Sequence, residues 1–529
     1  MPIILLQKKI RLLTTLPTQP AARSTITTLS PILAILATLG YIGAEITSPV
    51  QSSFRLDGIP ARQVQPVDAV AKLESELSAL QQTLADRSRV TDLKEAMQVG
   101  LLNNPQLAAA YAQIQGQQWN LIAVQRQWLP TLNASSIQGI PEQQWSYSNS
   151  SLGAPINISQ NSYSNNLAVS IGVNLSWTFF DQSRGPSINA ASEDLKRQKL
   201  LFDVSARNLV LQIQDSYFAL QEQLQLIRSY QEILAGTTRQ VSLTEAQFNS
   251  GLVSIADVEQ IRTQQYSTLT TLLATYRQLI AASAAVAEVM ALPPGTLVVP
   301  KEQLAPVGNW NETLEATIEQ ALKLREEIQA SLASAASASW SATSLFNSYW
   351  PQFNISAGGA YQSNNSNGSY PGAEGSVNQS SLNWDGGVRL GFTWQIFDGG
   401  IAAAQGETQK AAARQATDQV AERRLNVTRE VEQSYAAYLT SKLALETTRL
   451  QAQSASDASI AVQERFSVGV SDMATVVQSL NQAITAASNY ATAIRLYNSS
   501  VAGLYRTSAQ WPETTLTLIE KRVEQLRNR

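Results

Sequence analysis

Cysteine and histidine are both absent from the 529 residues. Their absence removes thiol nucleophiles, zinc sites, histidine general bases and disulfides together, along with any lipid-modified N-terminal cysteine. Only carboxylate, lysine or tyrosine chemistry remains, and no Ser, Lys or paired-carboxylate motif stands in a catalytic context. The expectation is therefore no enzyme, no catalytic residue, no metal and no cofactor. Charge is sparse, at 15% of residues with a net of -3. No basic arm interleaved with aromatics appears, so no nucleic-acid partner is expected. Long apolar runs are missing too: beyond the N-terminal region no 18 consecutive apolar residues occur, which excludes a transmembrane helix there.

Proline is missing between Pro186 and Pro293, and Gly236 is the one glycine between Pro186 and Gly251. What fills that gap is a seam. Ile213, Leu220, Ile227, Leu234, Val241 and Phe248 recur every seven residues, with Tyr217 and Leu224 at the intervening coiled-coil spacing. A helix from Asp181, its expected cap, to Phe248 would be about 100 Å long. A returning helix is expected from Ser254 to about Met290. It is shorter than the outgoing arm, and a helix from Thr91, a plausible N-cap, to Trp128, interrupted at Asn103-Asn104-Pro105, could stack on its end and supply the missing length.

The N-terminus carries Lys8, Lys9, Arg11 and Arg23, no acid before Glu45, and the apolar run Ile32 to Ile42. Residues 1–44 read as a cleaved export signal, with an uncleaved anchor or a misplaced start as alternatives. Residues 45–90 read as a Pro-containing linker and a short amphipathic helix carrying Val70, Leu73, Leu77, Leu80 and Leu84.

After Pro130 the pattern changes. Leu167, Val169, Ile171, Val173, Leu175, Trp177 and Phe179 alternate with small and polar residues, a period of two. A soluble sandwich would bury such a face. The small polar side chains opposite and the aromatics at its end favour a membrane barrel strand. Residues 138–166, rich in Asn, Ser, Gln and Tyr, read as a long solvated loop.

The unit repeats. Pro130 corresponds to Pro351, Trp177 to Trp394, Asp181 to Asp398, Phe248 to Phe466 and Gly251 to Gly469, at separations of 217 to 221 residues. The second copy has a strand from Phe353 to Tyr361, a polar loop from Gln362 to Asn383, and an alternating strand with Val388, Leu390, Phe392, Trp394 and Ile396. Its helical arm keeps Val431, Tyr438, Leu445 and Phe466 on the heptad grid but places Ser459 there. The units are expected at 91–295 and 296–510, followed by a charged tail at 511–529.

Four strands per chain cannot close a barrel, and an open edge leaves unpaired backbone groups in lipid. Other copies of the chain must complete the sheet. A dimer gives eight strands and a filled interior, a trimer twelve and an aqueous lumen.

The duplicated strand-strand-helix-turn-helix unit, the Trp394-Gln-Ile-Phe-Asp-Gly-Gly400 junction, and the hairpins Phe248-Asn-Ser-Gly-Leu-Val-Ser254 and Phe466-Ser-Val-Gly-Val-Ser471 resemble the TolC family of outer-membrane efflux proteins. The resemblance implies an α+β membrane protein: a homotrimeric 12-stranded β-barrel in outer-membrane lipid, continued by a long α-helical periplasmic barrel. It implies docking on a periplasmic adaptor and an inner-membrane pump such as an ABC or RND transporter, with efflux or type I secretion of drugs, toxins or metabolites. On this reading Gly251, Leu252, Val253, Gly469, Val470 and Ser471 are adaptor-docking tips, against the plainer reading of helix stops. Leu175, Trp177, Leu390 and Trp394 would face lipid, and Ser176, Thr393 and Gln395 water. Where such proteins carry an acidic ring beyond the second hairpin, this chain has Thr475 and Gln478, which leaves Asp257 and Asp472 as aperture candidates. Both also fit helix caps. A periplasmic coiled-coil spacer without a pore is the rival, since heptads alone would suit it.

Overall fold

A computed structural model describes residues 86–136, 141–152, 158–369, 375–512 and 515–528, with scattered positions between 72 and 83. The expected signal segment, its cleavage after Ala44, and the apolar positions of the expected short helix lie outside the described residues.

In chain order the elements are β1 (Ser88–Thr91), α1 (Leu93–Asn103), α2 (Pro105–Arg126), β2 (Thr131–Ser135), β3 (Glu142–Leu152), β4 (Ile158–Phe180), α3 (Arg184–Asn249) and α4 (Ile255–Val289). The second copy follows as β5 (Leu297–Pro300), α5 (Leu314–Leu324), α6 (Glu326–Asn347), β6 (Gln352–Ser369), β7 (Val377–Thr393), α7 (Ile401–Ser467) and α8 (Met473–Thr507), with a terminal α9 (Thr515–Arg527). The two long helices have 66 and 67 residues, each about 100 Å long.

The heptad seam of α3 is buried from Ile213 to Val241, with Leu224 half-buried, and opens only at Phe248 beside the turn. Laterally, α4 packs on α3, α3 on α8 and α8 on α7. Nearer the sheet the order is α2, α3, α6, α7. Thus α4 and α2 stand at one edge and α7 at the other. The end-to-end stacking inferred from helix lengths is present in both copies. Asn104 Nδ2 donates to the Val289 carbonyl at 3.0 Å, joining the end of α4 to the start of α2. Arg506 Nη2 meets Glu327 Oε1 at 2.6 Å, joining α8 to α6.

These joints lie in a belt of buried polar groups. Arg207 pairs with Glu326 at 2.8 Å, donates to the Gln510 carbonyl, and lies 3.9 Å over the Trp511 ring. Burial and the repulsion of Glu326 push the Asp203 carboxyl up to about 6. Burial opposes ionisation of Glu327 as well, but hydrogen bonds from Arg325 and the charges of Arg506 and Arg325 outweigh it and hold that carboxyl at about 2.

Several local expectations are corrected. The helix after β1 is capped by Asp92, whose side chain accepts from Glu95 N at 2.7 Å; Thr91 ends a strand. That strand pairs parallel with β5 in a small sheet with no sequence signal strong enough to find it. Asp181 does not cap α3. Its Oδ1 accepts from Ser183 N in a turn that precedes the helix, whereas Asp398 accepts from the amides of Gly400, Ile401 and Ala402 and stabilises the start of α7. The tail beyond Trp511 forms α9, which places Ile519 and Leu526 in the core around α1.

The two polar stretches read as loops are the largest correction. Their described residues are continuations of strands: β3 and the first half of β4 in one copy, the far ends of β6 and β7 in the other. Asn and Ser lowered their strand propensity, but ladder pairing across the hairpin overrides it. The sheet order is β2-β4-β6-β7, with β3 pairing to β4 beyond β2, so the chain fills four lanes of an antiparallel sheet.

Candidate functional site

Among the described residues no helix is long and apolar enough to cross a membrane. The sheet has the dimensions to do so. In β4 the odd-numbered positions Leu167 to Trp177 are apolar, and ten residues at about 3.4 Å, tilted near 45°, rise about 24 Å, close to the apolar band of a barrel.

Register extends this face across the sheet. Trp177 pairs with Ile355, which pairs with Leu390; Leu175 pairs with Ala357, which pairs with Val388; Leu132 of β2 pairs with Leu175. In the protomer Leu390 is 73% exposed, Val388 77% and Phe392 68%. So much exposed apolar surface on one side needs a nonaqueous neighbour. The other face carries Ser176, Ser356 and Arg389 in one row, and Gly172, Ala360 and Asp385 in another. Glu142, opposite Ala168, also falls on this side. All three charged residues of the described sheet therefore share the polar face. This distribution, which needs the register, was not legible from single strands.

Both expected lipid-facing tryptophans are tied to the preceding segment. Trp177 Nε1 donates to the Trp128 carbonyl at 2.9 Å, and Trp394 Nε1 donates to the Tyr349 carbonyl at 2.9 Å. Each acceptor lies two residues before a repeat proline, Pro130 or Pro351. Trp394 itself lies one residue past β7, so Gln395 and Ile396 are also outside the strand. Phe353 packs between Phe180 and Phe392 at ring separations of 5.8 and 6.2 Å, making an aromatic row at this edge.

At the far end of the helices stand the two hairpins. Gly251 and Gly469 both have φ of 76°, and a Cβ on either would meet nothing within 4 Å. Their left-handed conformation ends one helix and starts the next. Leu252 is 75% exposed and Val470 64%, while Val253 packs against a cluster of Val241, Ile261, Phe466, Met473 and Val476 that ties the hairpins together. Val468, exposed beside Val470, was missed because it precedes the glycine. Ser471 is half-buried.

The acids at the tips are engaged in caps. Ser254 and Asp257 form a reciprocal capping box. Asp472 accepts from Thr475 N at 2.8 Å, and its hydrogen bonds to Thr475 hold the carboxyl below its usual range.

A model of the outer membrane efflux protein family matches residues 96–292 and 317–510. A comparison with curated protein sequences found no significant match. Among solved structures, the CmeC outer membrane channel of Campylobacter jejuni is 17% identical, with 82% of this chain and 89% of that one aligned at a TM-score of 0.63. The outer membrane protein VceC of Vibrio cholerae is 15% identical over 79% of this chain and 96% of that one, with a TM-score of 0.61. The open MtrE channel of Neisseria gonorrhoeae is 16% identical over 79% and 89%, with a TM-score of 0.58. The two family segments span most of this chain and place it in the outer membrane efflux protein family, the non-enzymatic outer-membrane channels of tripartite export systems, with a periplasmic extension.

Proposed function

We propose that this chain works as a homotrimeric channel-tunnel that receives drugs, toxins, metabolites or proteins from an inner-membrane ABC or RND pump through a periplasmic adaptor seated on the Gly251 and Gly469 hairpins. Channels of this family form trimers in tripartite systems. The observation that carries the reading for this chain is a complementary pair of unpartnered stripes at its two helical edges. On α4, Tyr266, Leu273 and Ile280 are exposed at heptad spacing. On α7, Leu439, Leu443, Leu450 and Ile460 are exposed. Counted from Gly251, the α4 residues stand 15, 22 and 29 positions up; counted from Gly469, the α7 residues stand 30, 26, 19 and 9 positions up. The rows interleave, as knobs of one protomer against its neighbour would.

Because the chain has no cysteine, Ile280→Cys combined with Leu439→Cys gives a clean test. Mild oxidation should yield covalently linked trimers from the double variant and neither single one. Monomer throughout would remove the seam and the trimer built on it.

Threefold symmetry would also set Asp257 and Asp472 in rings of three at the periplasmic mouth. A narrow ring of acids concentrates cations, beyond the capping each acid performs in its own protomer. Multivalent cations should block single-channel current from that side, and Asp472→Asn should relieve the block. Block untouched by either Asp257→Asn or Asp472→Asn would leave both as caps alone. The pore-free spacer has no use for the charge-segregated sheet.

A further inference from the structure

The outward face of the sheet does not end where its apolar residues end. Beyond Leu167 the same face continues through Asn165 and Tyr163 of β4, with Trp145 opposite Asn165 and Tyr147 opposite Tyr163 on β3. The neighbouring lane supplies Asn365 and Asn367, and the lane after that Ser380 and Asn378. Trp145 is 62% exposed, Tyr147 66% and Tyr163 48%; Asn365 and Asn367 are exposed beside them. Among the described residues none of these three rings pairs with another ring, and their exposure leaves them open to a ligand.

Two features say what this face meets. The first is height. Asn165 and Tyr163 lie two and four residues past Leu167, so their row sits about 5 to 10 Å above the apolar band, at the level of outer-leaflet headgroups. The second is charge. Gln143 to Phe180 contains no Asp, Glu, Lys or Arg, and neither does Gln352 to Ser369 or Val377 to Trp384. A headgroup recognised through phosphate or carboxylate calls for Lys or Arg on this face, and there is none. What is present is three aromatic faces flanked by amides and hydroxyls. Rings of this kind cover the apolar C–H face of a pyranose, and Asn side chains both donate to and accept from sugar hydroxyls.

We infer that the Trp145, Tyr147 and Tyr163 face, with Asn165, Asn365 and Asn367, is a binding site for the neutral hexose headgroups of outer-leaflet glycolipid. It rests on the outward assignment of the odd-numbered residues of β4, which substitutions at Leu175 and Ser176 test separately. A general interfacial belt would use the same rings without preferring sugar over other headgroups.

The test is native mass spectrometry of the detergent-purified protein with dihexosyl diacylglycerol and with phosphatidylglycerol of the same acyl chains. The native protein should retain the neutral glycolipid in preference, and Trp145→Ala and Tyr147→Ala should each lower that preference by roughly five- to tenfold, the loss of one stacked ring. Asn365→Ala, on a different strand, should weaken it without removing an aromatic. Equal retention of the two lipids, preference for phosphatidylglycerol, or a preference unchanged by all three substitutions overturns the assignment. The apolar face below, which holds the acyl chains of both lipids, is identical in every variant, so unspecific lipid uptake cancels.

Discussion

Leu175→Arg will prevent membrane assembly, and Ser176→Arg, one residue along the same strand, will leave it intact. Leu175 projects from the face shared with Leu132, Ala357 and Val388, inside the apolar band and two residues from its Trp177 end. A guanidinium there is drawn into hydrocarbon, at a cost that reaches about 2 to 4 kcal/mol at the bilayer midplane and falls toward the interface. In a trimer three such costs add. Ser176 lies in the row of Ser356 and Arg389, where a cation already stands and water reaches it. Recovery of heat-modifiable oligomer from outer-membrane fractions measures both. Equal effects would mean that the alternation does not separate lipid from water.

How much of this could be read from the sequence follows from what each signal depends on. The seam Ile213 to Val241 was legible because a 3.5-residue period persists over four heptads, and burial confirms every position except the half-buried Leu224. The apolar half of β4 was legible for the same reason at period two. Its polar half was not, because Asn161 to Asn166 contain no alternation of hydrophobicity, and the strand exists through backbone pairing with β3 and β6. The β1–β5 pairing joins residues more than two hundred positions apart with four residues on each side, too little for any local pattern. In the membrane sheet the charges of Glu142, Asp385 and Arg389 were visible, but their common face emerges only once three ladders fix the register. At the hairpins the glycines were found from Phe-Asn-Ser-Gly and Phe-Ser-Val-Gly. That Asp257 hydrogen-bonds locally was foreseeable from Ser254-Ile-Ala-Asp257, and that Asp472 does so from its place at the start of a helix.

Gly469→Asp should abolish export while the protein still assembles and inserts. The fold tolerates the change for two reasons. A Cβ at Gly469 meets nothing within 4 Å, so no neighbour has to move. Its φ of 76° is strained for most residues, but Asp and Asn adopt the left-handed region more readily than others, so the strain is about 1 kcal/mol at one exposed turn. Against this, Val470 and Val468 expose apolar surface on either side of the glycine. With the adaptor seated as proposed, these valines would lie in a contact from which water is removed, and a carboxylate placed between them would be buried without a partner. Gly469→Asn separates strain from charge, since it has nearly the same backbone cost and no charge, and it should retain much of the export activity. Trimer yield, membrane recovery and export of a pump substrate are measured together for both variants. Loss of trimer in Gly469→Asp would make the glycine a helix stop and nothing more, and full export in that variant would move the docking surface away from the second hairpin.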